Sequence, residues 1–267
     1  HMAVIWLLPL AGVATLLLYR LCRVSFDAGT NLIITSVVTG EHIPVLLAPL
    51  ITAGTLLSHL FGASVGREGA ALQLGGTIGH NLGELMRFDE DDVRVLAMSG
   101  MAACFSAMFG TPVSAAVFVL EVICVGTFQY AAFLPCIIAS CTAGWLGGLL
   151  GSKPMAFDLP HIPEASWEFV LKTALLAALT AALSIVLCIA LHKSAEFWAR
   201  LIKNPYLRIF LGGLIMAVLV TALGLGDYAG AGAHMIERAI GGETEPWAFA
   251  VKLLLTALCV GVGVRGG

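Results

Sequence analysis

Charge is what this sequence has least of. Only 12% of its 267 residues are charged, 59% are hydrophobic, and the mean hydropathy is +0.95. A soluble domain carries roughly a quarter charged residues, so the composition places the chain in a membrane. A net charge of −3 with no basic tail or stripe argues against nucleic acid as a partner. Cys-x-x-Cys pairs are missing: seven cysteines, an odd number, lie mostly in apolar runs and read as small buried hydrophobes. No zinc site, disulfide framework or cofactor is therefore expected. The seven histidines are scattered without paired spacing and read as structural or interfacial. His-Glu-x-x-His does not occur, and no nucleophile–base pair points to an enzyme. No charged n-region or cleavage site marks the first apolar run as a secretory signal.

Long apolar runs are plentiful. A spanning helix needs about 20 mostly apolar residues. Met2–Tyr19, Ile43–Phe61, Phe169–Leu191, Ile209–Leu225 and Trp247–Val264 approach or meet that length, and Val93–Met108 and Gln129–Leu150 are similar. Thirty glycines and ten prolines suit broken helices packed in protein rather than plain spans. Arg20 and Arg23 follow the first run, which therefore runs inward by the distribution of basic flanks.

Gly66-Arg67-Glu68-Gly69 is the focal stretch. It sets two charges between apolar segments and opens a helix over Glu68–Leu85. A carboxylate in the membrane marks an ion or proton path. Free N–H groups in a first helical turn make an anion site, so Glu68 would sit where an anion would also sit. Within that helix Gly75, Gly79 and Gly83 recur every four residues as a close-packing face. Upstream, Asp27-Ala28-Gly29-Thr30-Asn31 opens the short run Leu32–Val38. Thr30 or Asn31 is either a cap or ligand at a helix start inside the membrane, or part of a surface turn. Downstream, Arg87–Asp92 reads as a solvated turn with an acidic helix start, and Thr111-Pro112 as a helix start leading to Glu121, a second intramembrane carboxylate or a structural hydrogen-bonding one.

Gly151–Ser166 reads as a polar linker between two halves, 1–150 and 167–267. After it come a helix to Leu191, a basic loop His192–Arg208, another span, the glycine-rich break Gly226–Gly232 and the short segment Ala233–Ile240. A last helix then runs into Arg265-Gly266-Gly267. Both halves show a long helix, a glycine-rich break, a short helix and a long helix ending at Gly and Arg. Weak internal symmetry of interrupted helices is the pattern of repeat-built transporters.

These residues resemble the CLC chloride channels and anion/proton antiporters. Gly66-Arg67-Glu68-Gly69 with Gln73 and Gly75-Gly76 is similar to the family's Gly-Lys/Arg-Glu-Gly-Pro motif, whose glutamate gates the anion path. Gly110-Thr111-Pro112 through Glu121-Val122 is similar to the stretch that follows it, and Gly266-Gly267 lies where the second-half motif should begin. Three departures from the chloride-selective pattern stand out. Ala28-Gly29-Thr30-Asn31 lacks the serine that would touch chloride, and Ala70 replaces the usual proline; both changes resemble the bacterial fluoride/proton antiporter branch, although that branch has threonine where Ala70 stands. Val122 replaces an internal glutamate of many chloride antiporters, which channels and the fluoride branch also lack.

The resemblance implies an all-α, polytopic membrane protein of broken and re-entrant helices in two inverted repeats, with further family helices before and after this stretch. It implies a homodimer in the bacterial inner membrane, with fluoride or chloride and protons as the transported species. Glu68 would be the gating and proton-coupling residue. Gly29, Thr30, Asn31, Gly66, Arg67, Gly69, Gly266 and Gly267 would line the anion site, with Thr111, Pro112 and Glu121 as structural motif. Fluoride/proton antiport is the expectation; a chloride antiporter or channel, or a membrane protein of another class, are the alternatives.

Overall fold

The structure is a computed structural model that describes residues 2–25, 29–123, 126, 129–155, 157, 164 and 166–266; of residues 2, 3 and 29–31 it describes the backbone alone. Among the described residues every regular element is helical. A 3-10 segment, Met2–Leu7, leads into α1 (Leu8–Leu21), followed by α2 (Gly29–Thr39), α3 (Leu47–Leu60), α4 (Glu68–Leu85), α5 (Glu90–Phe109) and α6 (Pro112–Ile123). Then come α7 (Tyr130–Leu149), α8 (Trp167–Leu201), α9 (Pro205–Ala222), α10 (Ala233–Ile240) and α11 (Ala248–Val262). Among the described residues five stretches are long and apolar enough to cross a membrane: Val4–Leu21, Glu90–Phe109, Tyr130–Leu149, Trp167–Leu201 and Pro205–Ala222.

Two elements differ from the sequence expectation. Helix α3 starts at Leu47 instead of Ile43, because Pro44 and Pro49 have no N–H to donate and Pro44-Val45-Leu46 forms a turn closed by Leu47 N–H on Pro44 O. The basic loop His192–Arg208 is helical as far as Leu201. No glycine or proline interrupts 167–201, and Glu196 pairs with Arg200 one turn on at 3.3 Å. The chain turns only at Ile202–Asn204, where the Asn204 side chain accepts the Tyr206 N–H and Pro205 opens α9.

The chain forms two compact units that interleave along the sequence. One comprises His1–Val13, Ser58–Val65 and Phe157–Val264. Its core joins Leu8, Val65, Met216, Leu255, Cys259 and Val262. Lys252, the lone charge of α11, donates to the Tyr228 and Gly230 carbonyls at 3.0 and 2.6 Å and so fixes the glycine-rich break. Helix α8 meets α11 near its C-terminal end, where the Ser194 hydroxyl donates to Ala257 O at 2.7 Å; none of its residues is buried.

The other unit comprises Ala14–Leu57, Gly66–Ala156 and Arg265–Gly267. Helices α4 and α5 form an antiparallel pair through the predicted glycine face. A Cβ at Gly75 would overlap the carbonyl of Gly100, and one at Gly79 that of Leu96, while Gly83 rests on Val93. The Asp89 side chain caps α5 by accepting the Asp92 N–H at 2.9 Å, and Glu90, Asp91 and Asp92 fill its first turn, as the acidic start predicts. Ser106 of α5 donates to Ser140 O of α7 at 2.8 Å in a fully buried contact. The expectation that the cysteines are buried holds for Cys136 and Cys259 but not for Cys141 and Cys188, which face outward from the apolar helices α7 and α8. Cys124 lies outside the described residues.

Candidate functional site

Glu68 is the first residue of α4, as expected from Gly66-Arg67-Glu68-Gly69. Arg67 occupies the N-cap position but its side chain makes no capping bond. The first main-chain helical bond here runs from Ala71 N–H to Arg67 O at 3.0 Å, which leaves the N–H groups of Glu68, Gly69 and Ala70 without a helical acceptor. The Glu68 carboxylate folds back over this end: its Oε2 accepts the Arg67 N–H at 2.8 Å. A negative group held against the positive end of a helix is the arrangement a bound anion would also take. Gly66 to Gly69 are all half-buried, and the Arg67 Nε is buried with no hydrogen-bond partner among the described residues.

Helix α2 runs alongside α4 in the same sense. Ile33 abuts Gly76, and further along Ser36 and Gly40 share a cavity with His80, Glu84 and Phe88. Residue numbers rise together on both helices, so their N-termini point to the same end. At 1.5 Å per residue Glu68 lies about one turn, or ~6 Å, beyond the level of Gly29. The backbone of Gly29, Thr30 and Asn31 is thus the start of α2, not a surface turn. The side chains of Thr30 and Asn31, and Gly267, lie outside the described residues.

The remaining predicted residues lie on other segments of the chain. Gly266 is half-buried next to Arg265, whose guanidinium carbon is 5.5 Å from the Tyr19 ring centroid. Pro112 opens α6 as predicted, with Thr111 O accepting the Ala115 N–H at 2.9 Å. Glu121 is exposed near the end of the same helix.

One grouping the sequence reading missed is His42, His80 and Glu84, whose ligand atoms all lie within 4.8 Å of one another. Its local half, His80 and Glu84 at i and i+4, was visible as spacing; His42 enters only through the fold.

Known proteins sharpen these observations. Residues 10–267 match the sequence model of the voltage gated chloride channel family. A chloride/fluoride channel protein of Pseudomonas syringae pv. tomato is 38% identical over the whole chain, which covers 61% of that relative. An H(+)/Cl(-) exchange transporter ClcA of Vibrio vulnificus is 26% identical over 77% of this chain and 46% of its own length. This chain therefore spans about three fifths or less of those two relatives. The solved structure of a CLC-type fluoride/proton antiporter superposes with a TM-score of 0.92 at 32% identity, over 99% of this chain and 67% of that one. An all-helical chain with a carboxylate folded over a helix start, matched from residue 10 to its last residue, belongs to the voltage gated chloride channel family.

Proposed function

We propose that this chain supplies much of the anion pathway of a membrane transporter that exchanges fluoride for protons, with Glu68 as its protonatable gate. The observation that carries this reading is the Glu68 carboxylate lying over the N-terminus of α4, 2.8 Å from the Arg67 N–H. Deprotonated, it fills the anion position; protonated, it loses the charge that holds it there and yields the position to an anion. Binding of anion and proton are thereby linked, because each favours a different placement of one side chain.

Fluoride holds its water tightly, so a site must replace that water with donors. The unpartnered Arg67 Nε and the first-turn N–H groups are such donors, and Thr30 and Asn31 would add theirs at the start of α2. The superposed fluoride/proton antiporter supports fluoride, and the name of the Pseudomonas relative gives chloride and fluoride together. Chloride is the second reading, favoured by the name of the Vibrio relative. In either case the chain is a transporter part and not an enzyme, with 1–150 and 167–267 as portions of two inverted repeats joined by 151–166. Its setting is the bacterial inner membrane.

The partner we propose is a second copy. Helix α7 leaves Gly148 with nothing within 4 Å of a would-be Cβ, and Leu134, Ile138 and Trp145 are exposed along its length. Those features suit a further helix packed on α7, although lipid also covers such a face.

The test loads liposomes carrying the full-length protein with fluoride or chloride and follows anion efflux and external pH together. Fluoride efflux with proton uptake, both changed by Glu68→Gln, is the expected result. Chloride efflux at an equal or faster rate overturns the fluoride reading, and unchanged coupling in Glu68→Gln overturns the gate.

A further inference from the structure

The far end of α4 from Glu68 holds the cluster of His42, His80 and Glu84. His80 and Glu84 lie one turn apart on α4 and so share a face. His42 comes from the Thr39–Pro44 stretch ahead of α3. Its Nδ1 is 2.9 Å from Glu84 Oε1, and His80 Nε2 is 3.3 Å from the same oxygen. A tetrahedral divalent ion with bonds of about 2.05 Å to nitrogen and oxygen holds its ligand atoms about 3.3 Å apart. The Glu84 oxygen already stands at that separation from His80 and slightly inside it from His42.

The hydrogen bonding leaves one nitrogen contested. His80 is buried, and its Nε2 accepts the Ile43 N–H at 3.2 Å. A neutral ring nitrogen that accepts a hydrogen bond has no proton to offer the Glu84 oxygen beside it. A cation between the two would turn that opposed pair into two ligands, at the cost of the Ile43 bond. A separate observation points the same way. Ser36, 1% exposed, has a hydroxyl with no hydrogen-bond partner among the described residues, and it lines a cavity of about 240 Å³ together with His80, Glu84, Glu90 and Arg94. His42 and Glu84 have side chains 62% and 40% exposed, which leaves a path from solvent and room for a water as fourth ligand.

We infer that His42, His80 and Glu84 form a binding site for a divalent transition cation of the Zn²⁺ type. Two imidazoles and one carboxylate suit such an ion, whereas Mg²⁺ and Ca²⁺ take oxygen ligands. The bound ion ties the segment ahead of α3 to the last turn of α4. The inference is independent of the transport reading and its test reads binding alone.

Full-length protein, without an affinity tag and stripped of metal, is titrated in detergent with Co²⁺ alone and then with Zn²⁺. Visible absorption reports Co²⁺ coordination, and calorimetry reports Zn²⁺ affinity. The expected result is about one ion per chain with a low-coordinate Co²⁺ spectrum, and affinity lowered about tenfold or more in both His42→Ala and Glu84→Gln. His42 is exposed, so His42→Ala should remain folded, and size-exclusion elution checks both variants. Three results each overturn the site: no uptake by the wild type, unchanged affinity in both folded variants, or an equal loss in His192→Ala, whose ring lies on α8.

Discussion

The backbone of Gly75 lies directly on the carbonyl of Gly100, with no room for a single methyl group between them. This contact sets the spacing of α4 and α5, and so the position of the helix that begins at Glu68. Gly75→Ala meets backbone, which cannot turn aside as a side chain can. We expect a loss of about 1–3 kcal/mol, read as a lower melting temperature in detergent. Gly147→Ala on α7 meets only the Ser152 Cβ, at an ordinary 3.8 Å, and should be neutral or gain up to about 1 kcal/mol from helix propensity. Equal melting temperatures for the two variants would contradict the packing described.

Lys252 holds two carbonyls of the break that precedes α10. Lys252→Met keeps most of the apolar stem and removes both bonds. The expected cost is about 1–3 kcal/mol, concentrated in residues 226–232. Faster amide exchange in that segment than in α9 would be the signature, and a uniform change across both would speak against a local role.

Arg67 carries the guanidinium nearest in sequence to the proposed gate, and its Nε has no partner among the described residues. If it serves the anion, Arg67→Gln should raise the anion concentration for half-maximal flux about tenfold, the scale of one lost charge-assisted hydrogen bond. Arg67→Lys should recover part of the effect. Flux measured against anion concentration decides, and a change in maximal rate alone would assign Arg67 to structure.

Ser194→Ala removes the hydroxyl that joins α8 to Ala257 O of α11. One lost hydrogen bond of this kind costs about 1 kcal/mol. A melting temperature unchanged from the wild type would show that this contact does not hold α8 to α11.

Much of this was legible because it was local. Glu68 opens its helix as Gly66-Arg67-Glu68-Gly69 indicates, Pro112 begins α6, and the four-residue glycine spacing in α4 meets α5 as expected. The end of α8 is hidden in the sequence because Lys193, Glu196 and Arg200 have the charge expected of a loop. Their spacing is that of one exposed helical face, and no breaker intervenes. Helix α3 is shorter than its apolar run, because Pro44 and Pro49 deny the backbone a donor at the start of that run. The His42 cluster was invisible for a different reason: His42 and Glu84 are 42 positions apart, and only the return of α4 past the end of α2 brings them together.

Helix α8 has a consequence of its own. Its 35 residues extend to about 52 Å, against a hydrocarbon layer of about 30 Å, and none of them is buried within the chain. A rod of that length must lean over or emerge from the bilayer. Lipid meeting α8 would act on it directly and, through Ser194, on α11. Bilayer thickness is then a variable to set beside pH and anion concentration in the liposome test of the proposed function.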